Sequence, residues 1–298
     1  MKTLRNSVIT TILLAIVSLT SAFAQNDSNN IETTGKRALS AGIGFHDYSQ
    51  PVQRQVGLGV GPFPEYEGSD KYGVSAMPLI DIRKSGSYFL KGASINVNDG
   101  VASAGLAIIH LSYSEESGRH VQLVMGPLIR VYWGRDEGDS DVLSGLADID
   151  QGVGVGGFLE INAGAWLANF TVSPEDVGND KDGLLVTFDV EYSAQVSGGL
   201  KMTAGLSASW ADDDFIQGYF GVTDAQAVRA GLSRFDSAAG FKDVGIQLKS
   251  VYELSPRWSL EGQVGYWRLL SDAADSPIVK AEGSANQVRA LIGISHQF

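Results

Sequence analysis

The chain has 298 residues, a formal net charge of −12 and no cysteine. The missing cysteines exclude a disulfide framework, an acylated-cysteine anchor, thiolate metal sites and a cysteine nucleophile. The acidity leaves no basic patch to neutralise nucleic-acid phosphates. Mean hydropathy near zero is too low for a bundle of membrane-spanning helices. Thirty-six glycines with eight prolines suit a β protein with tight turns and closely packed strands.

The first residues carry the three parts of an export signal. Lys2 and Arg5 form the positive start, Val8 to Leu19 the apolar middle, and Ala22-Phe23-Ala24 a small-x-small cleavage site before Gln25. The apolar run is short of the ~20 residues of a spanning helix, so residues 1–24 are expected to be removed. That loss takes Lys2 and Arg5 with it and moves the formal charge from −12 to −14. Residues 25–54 are expected to form a periplasmic N-terminal tail and entry segment, polar and without fixed structure from Gln25 to about Lys36. Residues 55–298 are expected to form one β-barrel.

Strands are expected near Gln55–Val60, Gly73–Ile82, Ser87–Val97, Val101–Ser112, His120–Tyr132, Gln151–Glu160 and Ala163–Ser173. They continue at Gly183–Ser197, Leu200–Trp210, Lys242–Glu253, Arg257–Arg268 and Gln287–Phe298, about twelve in all, an even number as closed bacterial barrels have. Tight joins fall near Lys84-Ser85, Ile161-Asn162, Gly198-Gly199 and Ser255-Pro256. Long ones span Trp133–Asp150, Pro174–Asp182, Ala211–Phe241 and Leu269–Asn286, the asymmetry of short periplasmic turns and longer external loops. Two joins break that rule: Asn98–Gly100 is too short for its side, and Tyr113–Arg119 is long for its own.

The clearest hairpin sets Leu184, Val186, Phe188, Val190, Tyr192, Ala194 and Val196 on one face. After Gly198-Gly199 the same face continues with Met202, Ala204, Leu206, Ala208 and Trp210. A second hairpin pairs Val244, Ile246, Leu248 and Tyr252 with Trp258, Leu260, Val264 and Tyr266 around Ser255-Pro256. The last strand alternates Val288, Ala290, Ile292, Ile294, His296 and Phe298 against Arg289, Leu291, Gly293, Ser295 and Gln297, and reads as the strand that closes the barrel. A soluble sandwich shows the same alternation. Strand lengths near ten residues, against a mode of five or six in soluble sheets, favour a transmembrane antiparallel up-and-down barrel facing outer-membrane lipid and lipopolysaccharide. Asp189, Glu191, Gln195, Lys201, Lys249, Glu261 and Gln263 then point inward, where opposite charges can pair and fill a narrow interior.

Candidate chemistry is sparse. His110 and Ser112 share a strand face, but residues two apart stand too far apart for a direct hydrogen bond, and no Gly-x-Ser-x-Gly elbow is present. No catalytic, cofactor-binding or metal-binding residue is assigned. The acidic runs Asp136, Glu137, Asp139, Asp141 and Asp212-Asp213-Asp214 lack the spacing of a calcium loop and read as solvated loop charge. Thr223 with Gln226 forms a capping box that predicts a short helix to about Ala230, ended by Gly231.

Three segments carry a resemblance. They are Gly59-Val60-Gly61-Pro62-Phe63-Pro64-Glu65-Tyr66-Glu67-Gly68-Ser69, then Tyr219-Phe220-Gly221-Val222-Thr223 with Gln226-Ala227, and Asp272-Ala273-Ala274-Asp275-Ser276-Pro277-Ile278-Val279 followed by Gly283-Ser284. In this order they resemble the MltA-interacting protein (MipA/OmpV) family of Gram-negative outer membranes. The motif positions are Gly61, Pro62, Tyr66, Gly68, Ser69, Gly221, Val222, Thr223, Gln226, Asp272, Asp275, Ser276 and Pro277. The resemblance implies a non-enzymatic outer-membrane barrel that scaffolds murein-remodelling enzymes, a lytic transglycosylase and a murein synthase. Other members are surface adhesins or immunogenic proteins. A narrow channel for small solutes is the alternative that the barrel itself leaves open.

Overall fold

The structure, a computed structural model, describes residues 37–43, 52–84, 86–115, 120–178 and 182–298. The expected export signal and the polar stretch to Lys36 lie outside them. The strands are β1 (Arg37–Ile43), β2 (Gln53–Pro64), β3 (Tyr72–Lys84), β4 (Tyr88–Lys91), β5 (Ala102–Leu106), β6 (Ile109–Glu115), β7 (His120–Tyr132), β8 (Gly152–Ala163), β9 (Trp166–Asp176), β10 (Asp182–Ser197), β11 (Leu200–Ala211), β12 (Gly240–Ser255), β13 (Trp258–Leu269) and β14 (Asn286–Gln297).

Neighbours pair antiparallel, and the sheet closes. β14 returns onto β2 with Ile292 opposite Val60 and Gln297 opposite Gln55, and β7 pairs with β8 along its whole length, from Val121↔Ala163 to Tyr132↔Gly152. The result is a 12-strand barrel. β5 and β6 together make one of its strands: both pair with β7, and the ladder is interrupted at Ala107–Ile108. The backbone of β1 runs antiparallel to β6, with Arg37 opposite Glu115.

Period-two alternation sets the two faces. Leu206, Ile246 and Ile292 stand outward, about 60% exposed (61%, 57% and 57%), on the apolar surface a barrel turns to lipid. Trp166, Tyr192, Tyr252, Trp258 and Phe298 ring this belt at the end with short turns, while Tyr72, Phe241 and Tyr266 stand at the other. Trp258 and Tyr266 share β13. At ~3.3 Å per residue and a tilt near 40°, they are separated by roughly 20 Å of depth, close to the ~25 Å apolar band of such barrels. Among the described residues no helix is long and apolar enough to cross a membrane; strands make the crossing.

The turns follow expectation, with one displaced. The β8–β9 join falls at Gly164-Ala165 rather than Ile161-Asn162, because Gly164 supplies the positive φ (63°) that the reversal needs. The expected strand Ser87–Val97 is corrected more deeply. β4 ends at Lys91, and the chain from Gly92 to Gly100 folds into the lumen through a 3-10 turn at Val97–Asp99. Its alternation of Ala93, Ile95 and Val97 with Ser94, Asn96 and Asn98 is real, but both faces are buried inside the barrel. The connection that looked too short at Asn98–Gly100 is therefore a long one turned inward.

Candidate functional site, the capped lumen

At the loop end the three resembling segments meet. Helix α1 (Asp213–Phe220) begins where the Asp212 carboxylate accepts from the Phe215 N–H at 2.9 Å. That acid, expected to be loose loop charge, is an N-cap. Helix α2 (Asp224–Ala230) carries the expected capping box between Thr223 and Gln226 and ends at Gly231 in the left-handed region (φ 69°). Helices α3 (Ser271–Asp275) and α4 (Pro277–Glu282) precede β14, with Pro277 in the first turn of α4.

These pieces share apolar cores. Phe215, Ile216 and Phe220 of α1 pack with Val177, Leu185, Leu269, Ala273 and Val279. Tyr66, Leu143, Leu146, Val222 and Ile278 form a second cluster that joins four loops. Hydrogen bonds tie the same residues. The Tyr66 hydroxyl donates to the Ile278 carbonyl at 3.1 Å, and Ser276 Oγ donates to the Phe220 carbonyl at 2.6 Å while accepting from the Ile278 N–H. The Gln287 amide donates to the Ser69 carbonyl, Gln226 donates to the Leu146 carbonyl, and Asp272 accepts from the Ala238 N–H at 2.7 Å. Gly68 takes φ 104°, and its carbonyl accepts from the Ser284 N–H. Gly221 follows α1 with its N–H on the Gln217 carbonyl.

Ten motif positions thus converge in this cap: Tyr66, Gly68, Ser69, Gly221, Val222, Thr223, Gln226, Asp272, Ser276 and Pro277. Gly61 and Pro62 stay on the wall, where a side chain on Gly61 would run into the Ala290 carbonyl. Pro62 lies just past the last β2–β14 pair, so its missing N–H breaks no bond of that ladder. Among the described residues Asp275 makes an exposed pair with Lys280 at 2.8 Å, a kind worth little.

Below the cap the inward-folded segment crosses the lumen. Ile95, fully buried, packs with Phe63, Met77, Leu79, Ala93, Trp267 and Leu291. Bare inner-wall positions make room for this: a Cβ on Gly59 would strike Leu291, and one on Gly293 would strike Leu79. Asn96 donates to Asp189 at 3.4 Å, and Asn98 donates to both oxygens of Asp243 at 3.1 Å. Arg130 bonds to the Asn98 carbonyl and pairs with Glu175.

A β-bulge on β12 strengthens the network. The register shifts between Ser209 and Trp210, so Lys242 and Asp243, adjacent in sequence, both point inward. Lys242 Nζ meets Glu67 at 2.5 Å and Asp243 at 3.0 Å. Buried charges persist when they are paired in this way. Nearer the turn end, Lys249 pairs with Glu191 at 2.9 Å, and Gln55 bridges Glu261 and Ser295 at 2.6 Å each. Of the expected inward polar residues, Gln195 and Lys201 instead lie exposed at the turn end.

Around the cap, burial and the Glu67 carboxylate push the Tyr219 phenol above its ordinary value, with Arg135 pulling the other way. Burial draws the Arg135 guanidinium below its ordinary value. The acidic run of the 133–151 loop is occupied internally: Asp136 accepts from the Gly138 N–H, and Glu137 from those of Gly145 and Ala147. Among the described residues no group of three His, Asp or Glu could hold a metal ion. His110 is buried with its Nε2 2.6 Å from the Gln122 amide, and Ser112 sits across from Gln122 in the ladder. The sequence pattern did not single out Arg289, Arg130, Lys242 or Ile95. Its one available signal was the adjacent Lys242-Asp243, which breaks strict alternation at the start of β12.

An apolar outer belt, a closed antiparallel ring and a lumen stopped by side chains define a transmembrane β-barrel of the outer-membrane kind. The family model of "MltA-interacting protein MipA" matches residues 56–298, and the chain belongs to that family. It is similar to the MltA-interacting protein of Escherichia coli K12, 29% identical over 83 residues, which are 28% of this chain and 33% of that protein. The putative outer membrane protein YiaT of the same strain is 24% identical over 123 residues, 41% of this chain and 48% of YiaT. Outer membrane protein Omp26La of Vibrio anguillarum is 27% identical over 143 residues, 47% and 53% of the two chains. The matched stretches thus span between a third and about half the length of these relatives. Among solved structures, the NanC porin aligns with 81% of this chain and 100% of its own at 7% identity and a TM-score of 0.43. OmpT of Vibrio cholerae aligns with 90% and 100% at 9% identity and 0.32. At those scores neither likeness carries a functional argument.

Proposed function

We propose that the chain is a non-enzymatic outer-membrane protein that serves as a docking scaffold for murein-remodelling enzymes, a lytic transglycosylase and a murein synthase, on its periplasmic side. The observation that supports this most is the lumen stopped at two levels, by the cap and by the Ile95 segment. A barrel stopped in this way offers no through-path for solutes, and a protein partner must meet it on a surface. The turn end offers one: the β10–β11 and β12–β13 tips lie side by side, joined by the Glu253 N–H on the Gly199 carbonyl at 2.7 Å. Past the aromatic ring they expose Val196 (58%) and Leu254 (52%), apolar side chains of the kind that anchor partners. The family membership, and a relative named for interaction with MltA, point the same way.

The test is crosslinking in intact envelopes followed by pull-down with the wild type and with Val196→Asp/Leu254→Asp. Murein hydrolases and synthases are expected with the wild type and lost with the double variant. Their absence from the wild type, together with a reproducible open conductance of the purified protein in planar bilayers, would replace the scaffold with a channel.

A further inference from the structure

Between the cap and the inward-folded segment lies a cavity of about 220 Å³, lined by Glu67, Tyr132, Trp133, Glu175, Tyr219 and Arg289 among others. Three buried cations line it, Lys242, Arg135 and Arg289, and a fourth, Arg130, stands behind Glu175. Lys242 is held by Glu67 and Asp243, Arg130 by Glu175 and the Asn98 carbonyl, and Arg135 donates to the Tyr219 carbonyl. Arg289 differs. It lies over the Trp267 ring, 4.9 Å from its centroid, and is only 2% exposed. Its Nε and Nη1 have no hydrogen-bond partner. The carboxylates that act on it, Glu67 and Asp243, are both taken up by Lys242. Burying a guanidinium with its donors unused is costly, and such a group is kept where a ligand completes it.

We propose that Arg289 anchors a binding site for a small organic monoanion, a carboxylate that also carries hydroxyl groups. Charge limits the valence: Arg289 brings a cation without an ion pair of its own, and with Glu67 and Glu175 also lining the cavity a dianion meets repulsion. The same carboxylates have lone pairs left to accept from ligand hydroxyls. Trp133, Tyr132 and Tyr219 also line the cavity, and aromatic surface suits the C–H faces of a sugar-sized solute. The volume equals about seven waters at ~30 Å³ each, the scale of a six-carbon compound. This site is independent of the docking surface proposed above, which lies at the opposite end of the barrel.

The test uses the mature protein folded in detergent, with glucuronate, glucose and inorganic phosphate as probes at equal ionic strength. Binding is followed by calorimetry and by the fluorescence of Trp133 and Trp267. Glucuronate is expected to bind saturably at one site, at least tenfold tighter than glucose, which carries a neutral hydroxymethyl group in place of the carboxylate, and tighter than phosphate. Arg289→Gln should weaken glucuronate tenfold or more, and Arg289→Lys should restore part of the loss. Equal affinity for glucuronate and glucose, preference for phosphate, no saturable glucuronate binding, or an Arg289→Gln variant that binds as the wild type would each overturn the proposal. If Arg289→Gln fails to fold, seen as identical mobility of boiled and unboiled protein on a denaturing gel, the wild-type contrast between glucuronate and glucose decides the matter.

Discussion

At the turn end, Gln55, Glu261 and Ser295 run along the inner wall through 2.6 Å hydrogen bonds between the neighbouring strands β2, β13 and β14. At the loop end, Phe215, Ile216 and Phe220 rest on Leu185, Leu269 and Val279 under four short helices. The first set is made of wall residues and cannot leave without the wall. The second is a small core of its own, brought by loops of up to 28 residues (212–239) and fastened to the rim by side-chain bonds such as Gln287 to the Ser69 carbonyl. A barrel wall is held by a closed ladder; a cap is held by burial. The two should therefore fail separately, and the sharpest way to ask is to damage one and watch the other.

The largest effect is expected from Phe220→Ala. Phe220 is 1% exposed, and truncating a buried phenylalanine costs about 3–5 kcal/mol. The cap should open while the ring stays shut. Limited proteolysis should then cut within 212–239, and the unboiled protein should still run faster than the boiled one on a denaturing gel. Loss of that mobility difference would show that cap and wall are one cooperative unit, and the contrast between the ends would fall.

Leu206→Arg makes the reverse cut. Leu206 is 61% exposed on the outer face, paired with Val190 and Ile246. A cation near the membrane midplane of a barrel costs ~2–4 kcal/mol. Folding into lipid vesicles should weaken by that amount in a urea titration, while the fraction that folds keeps the wild-type proteolytic pattern in 212–239. An unchanged titration would mean that this face does not meet lipid.

The same division separates what could be read from the sequence. The wall was legible because a half-lipid, half-lumen strand imposes period two on every residue: His120–Tyr132 and Gly183–Ser197 announce themselves, and the final strand from Val288 shows both faces. The α2 helix was legible too, since Thr223, Gln226 and Gly231 encode its ends locally. The inward segment was not, because Ala93 to Asn98 alternates like a wall strand and only the surrounding barrel decides that both faces are buried. Arg289 was hidden for a related reason. An inward arginine on β14 looks the same whether its partner is a carboxylate, water or a ligand, and only the finding that Lys242 holds both Glu67 and Asp243 sets it apart. The bulge that turns Lys242 inward is a two-against-one mismatch between β11 and β12, a property of pairing that neither strand carries alone.

The smallest effect tests how finely the cap is divided. Thr223→Ala removes the hydroxyl that accepts from the Gln226 N–H, a loss of ~1 kcal/mol for an N-cap. Gln226 would still reach the Leu146 carbonyl, and Arg229 Nε would still donate to the Gly145 carbonyl at 3.0 Å, so α2 should loosen without detaching. An opening of about 1 kcal/mol is roughly a fivefold change in population. Trypsin cleavage after Arg229 should therefore accelerate about fivefold, with chymotrypsin cleavage after Phe220 in α1 unaffected. If cutting near Phe220 accelerated in step, α1 and α2 would open together, and the cap would be one lid rather than two cores that share a rim.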